Sequence, residues 1–110
     1  MDEQVIPILW VRDASRATAW YRRLGFEQEW VHRFGPEFPA FVSVVRGTAR
    51  VFLSEHQGDA RPDTLIYIRV NDVSAIAKEF NVEVEDMPWA IECHLVDTEG
   101  NRLGIGTAKR

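Results

Sequence analysis

Val11-Arg12-Asp13-Ala14-Ser15 returns later in the chain as Val70-Asn71-Asp72-Val73-Ser74. Val11 meets Val70 at an offset of 59, a little over half of the 110 residues. At the same offset Ile6 meets Leu65, Ile8 meets Tyr67 and Tyr21 meets Phe80. A short apolar run, an acidic cap and a helix-like segment with an aromatic have been written twice. An internal repeat of this kind constrains the fold more than any local signal, because each copy is one supersecondary unit. It also puts a ligand site between similar half-structures.

Each copy reads as β-α-β-β-β. In the first, residues 5–11 are rich in strand formers. Asp13 caps the following helix, where Ala14, Ala17, Trp20, Tyr21 and Leu24 fall on one face at spacings of three and four. Gly25 supplies the left-handed stop. A strand over 26–33 follows, in which Phe26, Gln28, Trp30 and His32 share one parity and therefore one face. The loop 34–39 holds two prolines and a glycine, and strands over 40–46 and 50–54 flank the turn at Gly47-Thr48. Residues 55–63 are polar and form the connection.

In the second copy a strand over 65–70 leads to Asp72 and a shorter helix with Val73, Ile76, Ala77 and Phe80 inward. Residues 82–84 read as a short edge strand, 89–96 as a long one, 97–101 as a turn and 102–106 as the last strand. Arg50-Val51-Phe52-Leu53-Ser54 corresponds to Arg102-Leu103-Gly104-Ile105-Gly106, but at an offset of 52. The second copy is therefore seven residues shorter between its helix and its last strand. The expected organisation is one α+β domain over 1–110, with repeat one at about 4–54, a linker at about 55–63 and repeat two at about 64–107.

Composition narrows the function classes. A formal charge of −4 and a pI near 5.3 disfavour nucleic acid, which wants clustered Lys and Arg. There is no apolar run near the roughly 20 residues of a membrane span. Cys93 is the single cysteine, so no internal disulfide forms, and the chain is expected in the cytoplasm. Cys93 alternates with Ile91 and Leu95 as a core residue does.

Paired β-α-β-β-β units resemble the vicinal oxygen chelate superfamily of glyoxalases, extradiol dioxygenases, and bleomycin and fosfomycin resistance proteins. The resemblance covers nearly the whole chain. It is carried by Pro7-Ile8-Leu9 before Val11-Arg12-Asp13, by Trp20-Tyr21-x-x-Leu24-Gly25-Phe26, by Pro88-Trp89-Ala90-Ile91-Glu92, and by Asp97-x-x-Gly100-Asn101-Arg102-Leu103. The last two are closest to the bleomycin-resistance branch, whose Pro-Trp-Gly-x-Glu strand sets its Trp eight residues before the Asp of an Asp-Pro-x-Gly-Asn turn. Trp89 and Asp97 keep that spacing, while Ala90 replaces the Gly and Thr98 the Pro. The resemblance implies a pair of half-barrels and a homodimer with two ligand clefts.

It also implies where a divalent metal would be held by His, Glu or Gln. Those positions correspond to Ile6, Phe52, Leu65 and Gly104, none of which has a side-chain donor. No metal and no cofactor are expected, and no catalytic residue is assigned. The alternative enzyme, a glyoxalase-like or dioxygenase-like protein, would need a displaced metal on His32 or His56.

A scaffold without its metal keeps a concave sheet and aromatic walls. Trp20, Tyr21 and Phe52 are expected in the core. Trp30, Phe34, Phe38, Phe41 and Trp89 are the expected ligand-stacking residues, with Glu55 and His56 as polar contacts. Flat rings stack on planar ligands and attract cations, and Glu37, Asp59 and Glu92 add acidity. The expected function is sequestration of a planar or cationic antibiotic, of the bleomycin type, in a dimer cleft. The shortened stretch between Phe80 and Trp89 alters one wall of that cleft. A dimerisation module without ligand is the third reading.

Overall fold

A computed structural model describes residues 3–109. The first module comprises β1 (Ile8–Trp10), α1 (Ala14–Arg23), β2 (Glu27–His32), β3 (Phe41–Arg46) and β4 (Ala49–Ser54). The second comprises β5 (Leu65–Arg69), α2 (Val73–Phe80), β6 (Glu85–Asp86), β7 (Ala90–Val96) and β8 (Arg102–Ala108). Two four-stranded sheets result, ordered β1-β4-β3-β2 and β5-β8-β7-β6. In each, the first strand pairs parallel with the last and the other pairings are antiparallel. This is the α+β pair of βαβββ half-barrels that the repeat implies.

The ladders repeat with the sequence. Ile8 stands opposite Phe52, and Tyr67 opposite Gly104. Stepping 59 along the first strand and 52 along the last carries one pair onto the other. The shortening falls on α2, on β6, which has two residues where β2 has six, and on the loop after it, 87–89 against 33–40, and the longer turn at 97–101 partly offsets it. The edge strand expected over 82–84 lies instead at Glu85–Asp86. Val82 still donates its N–H to the Ala77 carbonyl at 2.9 Å as part of the helix end, and its side chain packs on the core.

The helix starts follow the same logic. Asp13 accepts from Arg16 N and Asp72 from Ala75 N, satisfying first-turn donors. A second acceptor arrives from the residue after each last strand pairing: Glu55 Oε2 takes Ala14 N at 2.8 Å and Thr107 Oγ1 takes Val73 N at 2.8 Å. Glu55 and Thr107 are themselves repeat mates at the offset of 52.

One core serves both modules. Leu9, Val11, Tyr21, Phe26, Val44 and Leu53 of the first meet Val73, Cys93, Leu103 and Ile105 of the second. Trp20 and Tyr21 are buried as expected, with Trp20 against Phe80 at 5.2 Å between ring centres. Phe52 departs from its expected core position: its parity puts it on the face of the sheet away from the helix, where it is only partly covered.

The Asp97–Asn101 turn locks the modules together. Asp97 Oδ1 receives the Glu99 and Asn101 N–H groups, and Oδ2 receives Tyr21 Oη at 2.8 Å and Asn101 Nδ2 at 3.2 Å. Asn101 Nδ2 also donates to the Trp10 carbonyl at 3.0 Å, and Glu99 accepts from Arg12 N at 2.9 Å. Burial, then the charge and hydrogen bond of Asp97, push the Tyr21 phenol far above its ordinary range. The Asp-x-x-Gly-Asn motif is thus a structural clasp.

Candidate functional site: an aromatic cavity on the first sheet

A bulge in β2 decides which side chains reach the open face. Gln28 pairs with Val44 and Trp30 with Ser43, so Glu29 is the extra residue. Val44 and Val42 are buried under α1, which puts Gln28 and Val31 on the helix side. Trp30 and His32 go to the other face. The single face expected for Phe26, Gln28, Trp30 and His32 is therefore broken at Glu29: Phe26 is in the core and Trp30 is not. The bulged carboxylate is anchored by Ser43 Oγ at 2.7 Å and by Arg50 through Nε at 2.9 Å and Nη2 at 2.7 Å. Those contacts hold the Glu29 carboxyl below its ordinary range, the Arg50 hydrogen bond contributing most.

On this face Trp30 stacks on Phe41 with 6.0 Å between ring centres and 13° between planes. Phe52 lies 5.5 Å from Trp30 and 5.1 Å from Phe41. His32 meets Phe34 edge-on at 4.7 Å, and His56 stands 6.4 Å from Phe41. Trp30, His32, Phe34, Phe41, His56 and Asp59 line an open cavity of about 560 Å³. That is within the size range of small-molecule sites. The lining carries one carboxylate, Asp59, and no Lys or Arg.

Four of the expected ligand residues are brought together here: Trp30, Phe34, Phe41 and His56. Phe38 lies beside the cavity, its ring over Gly35 and its carbonyl held by Arg33 Nη1 at 2.8 Å. Glu55 does not line the cavity. Its carboxylate is turned inward, 17% exposed, and spans Ala14 N and Ala40 N at 2.8 and 2.9 Å. A group already accepting two backbone donors is held as a bracket between α1 and the 34–40 loop. Trp89 belongs to the second module, where its indole donates to Glu92 Oε2 at 2.7 Å.

His32 and Asp59 join the lining without having been assigned to ligand contact. The signal for Asp59 lay in the connection: Ser54 Oγ, at the end of β4, donates to its Oδ2 at 2.7 Å and folds the segment back. His56 N in turn donates to Ser54 Oγ at 3.1 Å. That hydroxyl is spent on a carboxylate, and among the described residues no imidazole of the cavity hydrogen-bonds to a hydroxyl. Cys93 is buried in the other module and burial pushes its thiol up. The cavity therefore offers ring faces, two imidazoles and a carboxylate, without a prepared nucleophile.

The metal positions of the superfamily do not fit a metal here. Phe52 is part of the aromatic cluster, and a Cβ at Gly104 would touch the Tyr67 ring at 3.0 Å. Phe52 pairs with Ile8 and Ser43, and Gly104 with Tyr67 and His94, so one hydroxyl, one phenol and a single imidazole are the side-chain donors beside them. Among the described residues no group of three His, Cys, Asp or Glu side chains is arranged to hold a metal ion. No described helix is long and apolar enough to cross a membrane.

Comparison with known proteins gives the same architecture. A family model described as "Glyoxalase superfamily protein" matches residues 1–109. No curated protein matches. Among solved structures, TnmS3, an antibiotic binding protein from Streptomyces sp. CB03234, superposes with a TM-score of 0.78 at 18% identity, over 99% of this chain and 98% of that one. A bleomycin-binding protein complexed with bleomycin gives 0.73 at 20% identity, over 98% and 100%. A bleomycin resistance determinant encoded on the transposon Tn5 gives 0.73 at 19%, over 99% and 100%.

Proposed function

The chain belongs to the glyoxalase superfamily, and from that membership we propose that it is a small-molecule binding protein of the bleomycin-resistance type. It sequesters a planar or cationic antibiotic and performs no chemistry on it. The observation that carries this reading is the Trp30–Phe41–Phe52 cluster, whose rings fill the open face beside a cavity of about 560 Å³. Aromatic faces left to solvent cost free energy unless something flat covers them. Two of the proteins with this fold are described by what they bind, an antibiotic and bleomycin.

The working form is a homodimer in the cytoplasm. The open face of the first module would be roofed by the second module of a partner, which brings Trp89 to the ligand. The exposed Leu65, Tyr67, Trp89 and Val96 give that second face the apolar character such contact requires. The ligand is then held by Trp30, Phe34, Phe41 and Trp89, with Phe38 at the rim and His56 and Asp59 as polar contacts. No metal takes part, since the positions that would hold it are Ile6, Phe52, Leu65 and Gly104.

Titration calorimetry with bleomycin and related cationic drugs tests the reading. Binding at micromolar or better, about 8 kcal/mol, is expected for a sequestering protein. Absence of heat at tens of micromolar protein rejects this drug. Elemental analysis of protein purified without chelator addresses the enzyme alternative on His32 and His56. A stoichiometric divalent metal would overturn the binding-only reading.

A further inference from the structure

A second polar site lies on the open face of the second module, the face that the proposed dimer turns toward a partner's aromatic cavity. Glu92 sits in the middle of β7 on the open face of the second sheet, opposite Glu85 on β6 and Gly106 on β8. Its side chain is only 6% exposed. Two donors converge on one of its oxygens: Tyr67 Oη at 2.8 Å and Trp89 Nε1 at 2.7 Å, both to Oε2. These two hydrogen bonds, Tyr67 first, hold the carboxyl below its ordinary range. Both donors are neutral, so they keep the charge on the group without cancelling it.

The setting is built around the Tyr67 ring. That ring lies across β8 because residues 104 and 106 are glycines. A Cβ at Gly106 would overlap the Tyr67 hydroxyl, and one at Gly104 would crowd the ring edge. No hydrogen bond from any described residue reaches Glu92 Oε1. His94 Nε2 stands 4.0 Å away, beyond hydrogen-bond reach, and 3.9 Å from Glu85 Oε1. The Arg69 guanidinium lies over the Tyr67 ring at 5.4 Å, and its charge and that of His94 act on the Glu92 carboxylate as lesser causes, without a hydrogen bond to it. A charged carboxylate nearly withdrawn from water ordinarily has a cationic partner, because the cost of desolvation is otherwise uncompensated.

We infer that Glu92 Oε1 is the recognition point for a cationic ligand group, an ammonium or amidinium, with Tyr67 and Trp89 presenting the carboxylate and Glu85 adding charge beside it. The inference rests on the small-molecule reading above and narrows it: the ligand carries a positive group in addition to a flat one. Oε2 is occupied and Oε1 is open, so an incoming N–H donor meets a lone pair already oriented. Charge-assisted hydrogen bonds of this kind are among the stronger polar contacts available to a ligand.

The test uses benzamidine and its neutral isostere benzamide on the full ¹⁵N-labelled chain, read by the indole N–H resonances, with Trp89 and Trp30 assigned by substitution. Benzamidine is expected to shift the Trp89 resonance saturably. Benzamide is expected to bind there at least tenfold more weakly. In Glu92→Gln, whose amide oxygen still accepts from Tyr67 and Trp89, benzamidine affinity at Trp89 should fall at least tenfold. An unmoved Trp89 resonance, equal binding of benzamide, or unchanged affinity in the variant overturns the inference. If Glu92→Gln does not fold, the contrast between the two ligands on the unaltered chain decides it. A benzamidine effect confined to Trp30 overturns this site while supporting the aromatic cavity. Loss of bleomycin binding with the Trp89 effect intact fails the drug reading alone.

Discussion

The Tyr21 hydroxyl donates to Asp97 Oδ2 at 2.8 Å, and this bond crosses from the first module to the second. It exists once. The repeat mate of Tyr21 is Phe80, which has no hydroxyl to give. The bond is buried and its acceptor is a carboxylate, so removing the donor costs about 1.5–3 kcal/mol. Tyr21→Phe should lower the urea unfolding free energy by that amount with little change in slope. The phenol also gives an alkaline signature. Its folded pKa is raised above the ordinary value of 10.0, so its contribution is full below pH 10 and is lost as pH rises beyond it. The stability of Tyr21→Phe should fall less steeply above pH 10 than that of the unaltered protein.

Glu55 and Thr107 perform the same task in the two modules, each accepting the first backbone N–H of its helix. Substituting either by Ala should cost about 0.5–2 kcal/mol, the range for loss of a helix-capping acceptor. Glu55→Ala should be the more damaging, because Ala40 N loses its acceptor too. Binding at the aromatic cavity should change less than twofold in Thr107→Ala, since that side chain turns to the start of α2, on the covered side of its sheet. Chemical denaturation and calorimetry on the two variants measure both.

Trp30 is 42% exposed and contacts Phe41 and Phe52. Its loss therefore costs less stability than the 3–5 kcal/mol of a fully buried Trp. Trp30→Ala should weaken a stacking ligand such as bleomycin at least tenfold while keeping the far-ultraviolet circular dichroism of the fold. Equal affinity in the variant would remove the cavity from the site.

Gly106 is required by the Tyr67 hydroxyl, which occupies the space a Cβ would take. The Tyr67 ring end is free to swing outward, so Gly106→Ala should fold, at a cost of about 1–3 kcal/mol. Its sharper effect is on Glu92. Without the Tyr67 hydrogen bond, the largest cause of the lowered carboxyl, the Glu92 pKa should rise toward its ordinary 4.5. Carbon-13 NMR of the side-chain carboxyl reads this directly. A depressed folded pKa means stability present above the unfolded value and lost as pH falls through the folded one. Gly106→Ala should thus soften the acid limb of the stability profile.

The two offsets were legible in the sequence, and the ladders realise them at Ile8–Phe52 and Tyr67–Gly104. The helix faces were legible because a 3.6 period and acidic caps are local signals. The bulge at Glu29 was not. An extra residue leaves the alternation of Glu27 to His32 unchanged on paper, and only the partner strand reveals that Ser43 faces Trp30. The use of Glu55 was hidden for a related reason, since its donors Ala14 and Ala40 are 41 and 15 residues away. Its repeat mate was the available clue: an oxygen-bearing side chain stands at the same place in both copies, one residue beyond the parallel pairing of the last strand with the first.

The shortening of β6 to two residues makes the two outer margins of the molecule unequal. A peripheral strand exposes a row of unpaired backbone groups in proportion to its length, and such a row is a template for sheet extension. At six residues β2 is a usable template; β6 is too short to be one. Of the two repeat-related edges, an extended peptide, or a misfolded copy, would be added at β2 and not at β6. The bulge that turns Trp30 onto the open face also kinks that same margin, so one irregularity both shapes the cavity and guards against aggregation.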